Sequence, residues 1–186
     1  KSVTLNLKDP RGVAAALRLC ESADVVVQNF RPGVAERIGL GEAAVRAVRP
    51  DVIYTSIAGF GFTGDWARKP VYDPLIQALS GLASVQGGGA GRPRLVRTIL
   101  PDKLTAIQTA QAITAALLAR ARTGEGSHVQ ISMLDTVLAF LWSSDMAGYT
   151  FVGDELAPAT GDDAQTFVEL IYQTADGWMA VSAHTD

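Results

Sequence analysis

Two aspartates stand where a carboxylate can do more than carry charge. Asp102 follows Pro101 and opens a long run rich in Ala, Leu and Ile, and Asp73 precedes Pro74 and a second apolar run. A carboxylate can act as a nucleophile, so an acyl group exchanged between a thiol and an acid can travel through it. Such a group has to be reachable, partly desolvated and near donors that stabilise a tetrahedral oxyanion. A helix N-terminus offers such donors, because its first amides lack partners and its dipole favours negative charge. An Asp ahead of a helix is also a preferred cap, and spacing alone leaves both aspartates open between the two roles.

A second group of candidates lies in Asn29-Phe30-Arg31-Pro32-Gly33, directly after the β-branched run Val25-Val26-Val27. Ligands of open α/β sheets collect at the carboxyl ends of strands. There Phe30 can stack on a planar ring, and Arg31 or Arg37 can meet phosphate. The plainer alternative is a turn with Phe30 in the core and both arginines in water. Other chemistries find little support. Gly59, Gly61 and Gly64 carry a dinucleotide-type spacing, but Asp65-Trp66-Ala67-Arg68-Lys69-Pro70 after them does not begin a helix, and no Walker A sequence occurs. The two histidines, His128 and His184, are far apart and unsupported by cysteines, so no metal site is expected. Cys20 reads as packing on an apolar helix face, and Trp142 with Met146 reads as core.

The elements that must hold these residues follow from cap and period signals. Asp9-Pro10 starts a helix, with Val13, Leu17 and Cys20 at helical spacing. Val25–Val27 suits a strand buried on both faces, and Val52–Ile57 is the clearest strand. Short helices are expected up to Gly39 and from Gly41 to Val48, another from Asp73, and a long one over 103–122 with Asp102 as its cap. His128–Ser132 alternates as a strand, and a further apolar helix runs from there to about Gly148. Val3–Leu7 also alternates. Strands and helices in turn give a parallel α/β sheet with flanking helices. Residues 1–152 are assigned to a large domain and 153–166 to a linker. Residues 167–186 begin a smaller α+β domain with strands at 167–173 and 178–183, joined in a hairpin by Thr174–Gly177.

Composition narrows the function class. The chain has 186 residues, 48% of them hydrophobic and 19% charged, with 16 Lys and Arg against 19 Asp and Glu, a net charge of −3. That is a globular composition without the basic footprint of a nucleic-acid binder. No run approaches the roughly 20 apolar residues of a membrane helix. One cysteine permits no internal disulfide, which fits a reducing cytoplasm. The chain opens on Lys1 in a strand-like run and stops at Asp186 just after another, so a piece of a longer protein is expected.

Taken in order, the motifs join into one pattern. Ala23-Asp24-Val25-Val26-Val27-Gln28-Asn29-Phe30-Arg31-Pro32-Gly33 through Gly39-Leu40 resembles family III CoA-transferases, the CaiB/BaiF family. The likeness continues through Tyr54–Gly61, Tyr72-Asp73, Gln77–Gly81, Pro101-Asp102-Lys103-Leu104-Thr105-Ala106 and Thr123–Gly126. The resemblance implies a Rossmann-like large domain with a smaller one inserted, in two subunits interlocked like links of a chain. It implies that Asp102 takes the acyl group as a mixed anhydride and then becomes an aspartyl-CoA thioester, which the acceptor acid attacks. By the same resemblance Asn29, Phe30 and Arg37 hold CoA, Leu5 lies near its adenine, and Tyr72 and Asp73 line the acyl site. The expected partners are an acyl-CoA and a carboxylic acid, with no permanently bound cofactor and no metal.

The chain departs from the family at several points. Ala106 stands where Gly is common, and Gly153–Gly161 lacks the glycine run that shields the intermediate in some members. A related activity, 2-methylacyl-CoA racemisation, uses a His/Asp pair for proton transfer. Racemases resemble Gly-His-Asp where this chain has Val71-Tyr72-Asp73, and the loss of that histidine disfavours the alternative. A non-catalytic CoA-binding or assembly protein is the third reading, and the presence of Asp102 argues against it.

Overall fold

A computed structural model describes residues 2–87, 92–142, 145–146 and 171–181. The connector over 153–166, the glycine-poor 153–161 segment and His184 lie outside the described residues.

Three parallel strands form the central sheet, β1 (Val25–Gln28), β2 (Ile53–Ala58) and β3 (Ser127–Ser132), in the order β1-β2-β3. Register pairs Val26 with Tyr54 and Tyr54 with His128, so these three side chains share one face. β2 is central and almost wholly buried, as its apolar run requires. β1 departs from the expectation of burial on both faces. Among the described residues it has a neighbour on one side only, and Val27 is 51% exposed.

α1 (Pro10–Cys20) begins as its sequence dictates, with Asp9 accepting from the Arg11 amide at 2.9 Å and Pro10 in the first turn. Its Leu17 and Cys20 pack with Val26 against Val45, Val52 and Tyr54, which join α1 and α3 (Glu42–Val48) to one face of the sheet. Between β1 and α3, α2 spans Val34–Arg37. Val3–Leu7 is not a strand: it pairs with no described strand, and Asn6 instead turns the chain into α1 by accepting from the Asp9 amide.

The second core gathers Ile76 of α4 (Asp73–Leu79), Leu82 of α5 (Leu82–Gly87), and Val137 and Leu141 of α7 (Met133–Trp142). Met146 packs onto this core, as expected, but Trp142 does not join it and is 49% exposed. α6 (Leu100–Thr123) lies against β3 and α7 and ends at Gly124, whose φ of +77° is the left-handed conformation that glycine adopts without steric cost. Near its end Arg120 donates to the Asp24 carboxylate at 2.8 Å and to the Asp51 carbonyl at 3.3 Å, tying α6 to the starts of β1 and β2. Apart from these layers, β4 (Ile171–Gln173) and β5 (Trp178–Ala180) form the expected antiparallel hairpin, closed by Thr174 N–H donating to Gly177 O.

Candidate functional site

The carboxyl ends of β1 and β2 and the N-termini of α4, α6 and α7 surround a cavity of about 550 Å³. Asn29 and Phe30 reach it from the loop after β1, Tyr72 and Asp73 from the start of α4, and Asp102 from the start of α6. Of the seven residues that the family resemblance implies, five therefore line one cavity. Leu5 and Arg37 do not line the cavity; Leu5 is half-buried in the N-terminal segment, and Arg37 is exposed on α2. Phe30 is 41% exposed, which rules out its packing in the core as a plain turn residue.

Asp102 is not the cap of its helix. α6 begins at Leu100 with Ile99 in the cap position and Pro101 in the first turn, so Asp102 is the third helical residue. Proline is pre-organised for that first turn, which moves the helix start ahead of the position read from the sequence. The capping is supplied from elsewhere. The Asp102 N–H donates to Oδ2 of Asp73 at 3.2 Å, so a carboxylate 29 residues earlier satisfies an amide of α6. The other first-turn groups are also accounted for. Leu100 N–H donates to Thr98 O, Pro101 has no N–H, and Lys103 N–H donates to Ile99 O. The oxyanion donors expected from this helix end are thus engaged within the chain.

Asp73 is 5% exposed and held from its other side, where Gln77 Nε2 donates to Oδ1 at 2.7 Å. Gln77 is itself buried, and its Oε1 accepts from the Val96 amide at 2.9 Å. One carboxamide therefore fixes both the Asp73 carboxylate and the segment that leads into α6. Nothing in the sequence marked Gln77 as more than part of a motif; its only local signal is the i,i+4 spacing from Asp73.

The Asp102 side chain opens to the cavity while its carboxyl pKa is pushed up from its ordinary value. Partial desolvation is the larger cause and the negative charge of Asp73 the smaller. Two cations share the lining, Arg31 and Lys69. Lys69 is placed by its ammonium lying 3.9 Å from the Trp66 ring centre, with Trp66 braced edge-on by Phe60. Val71 lines the cavity and packs on Gly59. A Cβ on Gly59 would lie 1.9 Å from Val71 Cγ1, so only glycine fits there. Ala106 and Met133 complete the apolar part of the wall. Among the described residues no histidine lines it. Among the described residues no cluster of His, Cys, Asp and Glu could hold a metal ion, and no helix is long and apolar enough to cross a membrane.

Such an arrangement suits acyl transfer: a raised-pKa carboxylate beside a second, buried carboxylate, an apolar wall, and cations for an anionic substrate. Comparison with known proteins points the same way. The sequence model described as CoA-transferase family III matches residues 1–186. An acetyl-CoA:oxalate CoA-transferase of Acetobacter aceti is 42% identical over 142 residues, covering 76% of this chain and 36% of that protein. A succinate–glutarate CoA-transferase of Agrobacterium fabrum is 33% identical over 186 residues, 100% of this chain and 46% of that protein. The solved structure of a CAIB/BAIF family protein from Brucella suis superposes with a TM-score of 0.85 at 29% identity, covering 98% of this chain and 48% of that one. The chain spans less than half the length of these relatives.

Proposed function

The chain belongs to CoA-transferase family III, and from that premise we propose that it carries the reactive site of an enzyme moving coenzyme A between an acyl-CoA and a carboxylic acid. The observation that carries the reading is Asp102, a carboxylate with a raised pKa, lining one cavity with Asn29, Phe30, Tyr72 and Asp73.

The chemistry balances through that one carboxylate. Asp102 attacks the acyl-CoA carbonyl, forming an acyl–aspartyl anhydride and releasing the CoA thiolate. The thiolate attacks the aspartyl carbonyl, giving an aspartyl-CoA thioester and freeing the first acid. The acceptor carboxylate then attacks that thioester, expelling the thiolate again and forming a second anhydride. Attack of the thiolate on the acceptor's carbonyl yields the new acyl-CoA and restores Asp102. Each step exchanges one oxygen or sulfur leaving group for another, so no redox partner is required.

The local electrostatics support this order. A more basic carboxylate is a better nucleophile, and anhydride formation removes the charge that Asp73 opposes. Arg31 and Lys69 favour the anionic acid in the same cavity. Asn29, Phe30 and Arg37 hold CoA in this reading, with Leu5 towards its adenine. The acyl group rests against Tyr72 and Asp73. The enzyme needs no resident cofactor, works in the cytoplasm, and forms an interlocked homodimer in which residues 1–152 are part of the large domain, 153–166 a linker and 167–186 the start of the small one.

In the complete protein, exchange of labelled CoA between two acids tests the proposal. Wild type exchanges it, and Asp102→Asn does not while still binding CoA. Exchange of an acyl-CoA's α-proton with solvent, with no CoA exchange, would replace the transferase by a racemase. Binding of CoA with neither exchange would leave a binding protein.

A further inference from the structure

His128 read as an isolated histidine in the sequence, yet it sits in a continuous hydrogen-bond chain that ends on the Asn29–Phe30 loop. At the outer end, Arg46 Nε donates to Glu42 Oε1 at 2.6 Å, and Glu42 Oε2 lies 3.1 Å from His128 Nδ1. His128 Nε2 lies 2.9 Å from Ser56 Oγ, and Gln28 Nε2 donates to that same oxygen at 2.9 Å. The Phe30 backbone N–H closes the chain by donating to Gln28 Oε1 at 2.9 Å.

The hydrogen-bond network assigns a direction to each link, the His128 tautomer included. Phe30 can only donate, so Gln28 presents Oε1 to it and the NH2 group to Ser56. Ser56 is 3% exposed, and its hydroxyl proton therefore needs an acceptor inside the protein. Nε2 of His128 is that acceptor, which puts the ring proton on Nδ1, facing Glu42. If the acceptor at 128 is removed, the Ser56 proton turns to Gln28. The carboxamide must then rotate to offer Oε1 to Ser56, and its NH2 meets the Phe30 N–H, donor against donor.

We propose that His128 is a positioning residue for coenzyme A binding, acting through Ser56 and Gln28 on the backbone amide of Phe30. The inference rests on the reading above that this loop holds CoA.

The test is a double-mutant cycle in the complete protein, read by calorimetric CoA affinity and by hydrogen exchange at the Phe30 amide. His128→Leu and Gln28→Leu each weaken CoA binding about three- to tenfold, the worth of one hydrogen bond. Each also speeds Phe30 exchange. His128→Gln, whose side-chain oxygen can reach Ser56, restores both readouts to within about twofold, and the double variant is no weaker than Gln28→Leu alone. Additive losses, or a His128→Gln as impaired as His128→Leu, would make the histidine merely structural and overturn the proposal. Should His128→Leu not fold, Ser56→Ala takes its place in the cycle with the same non-additivity expected. If wild type shows a protected Phe30 amide that responds to these variants but binds no CoA, the relay stands and the assignment of the loop to CoA falls.

Discussion

Asp73→Asn is the substitution that most sharply tests how the site is built. Asp73 is 5% exposed, and its two oxygens serve two different donors, Gln77 Nε2 at 2.7 Å and the Asp102 amide at 3.2 Å. Asparagine keeps the shape but offers one oxygen and one NH2, so in either orientation an NH2 faces a donor. Gln77 cannot turn to relieve the clash, because its Oε1 is committed to the Val96 amide at 2.9 Å. One buried donor is left unpaired and a charge-assisted bond is lost, at a cost of about 2 kcal/mol. In a domain of this size that lowers Tm by about 4 to 8 °C. The same change removes the charge that helps to raise Asp102, so the Asp102 carboxyl titrates at lower pH in the variant, with only desolvation still holding it up. Calorimetry and a carbon NMR titration of the carboxyl groups measure the two effects. An unchanged Tm together with an unchanged Asp102 midpoint would refute the cross-element cap and the coupling of the two carboxylates.

Three further outcomes follow from other contacts. Gly59→Ala drives a Cβ into Val71, which lines the cavity; overpacking of this kind costs about 1 to 3 kcal/mol, and thermal melts with CoA-binding assays should show stability and affinity falling together. Burial first, and the charge of Glu36 next, push the Tyr54 phenol up to about 12. Because its folded pKa lies above the ordinary phenol value of 10.0, its contribution to stability is intact below about pH 10 and is lost as the pH rises towards 12, a loss that Tyr54→Phe abolishes in alkaline unfolding curves. Arg120→Ala frees the end of α6 from Asp24 and Asp51 and should destabilise by about 1 to 2 kcal/mol, read in urea unfolding.

What could be read in advance was whatever local chemistry decides. The Asp9 cap with Pro10 and the buried run of β2 are each settled by a few neighbouring residues, and each stands where it was expected. Alternation at Val3–Leu7 was a poorer guide, since a strand exists only where a partner edge receives its backbone. The site divided in the same way. The loop after β1 and the two aspartates were legible as motifs, but the use of Asp73 was not, because its carboxylate serves a helix that begins 27 residues later. Arg120, which in the sequence only interrupts an apolar stretch, joins three elements. His128 gained its partners only when Ser56 and Glu42 arrived from β2 and α3. Polar groups of that kind are invisible to periodicity, which reports faces rather than the long-range partner that meets them.

The most direct test of the central claim is to catch the covalent intermediate. The complete protein, incubated with an acyl-CoA and quenched with hydroxylamine, should yield an aspartyl hydroxamate at Asp102 on peptide mass spectrometry, dependent on the acyl-CoA and absent from Asp102→Asn. Turnover of that acyl-CoA with Asp102 unmodified, or with the adduct on another carboxylate such as Asp73, would contradict the account.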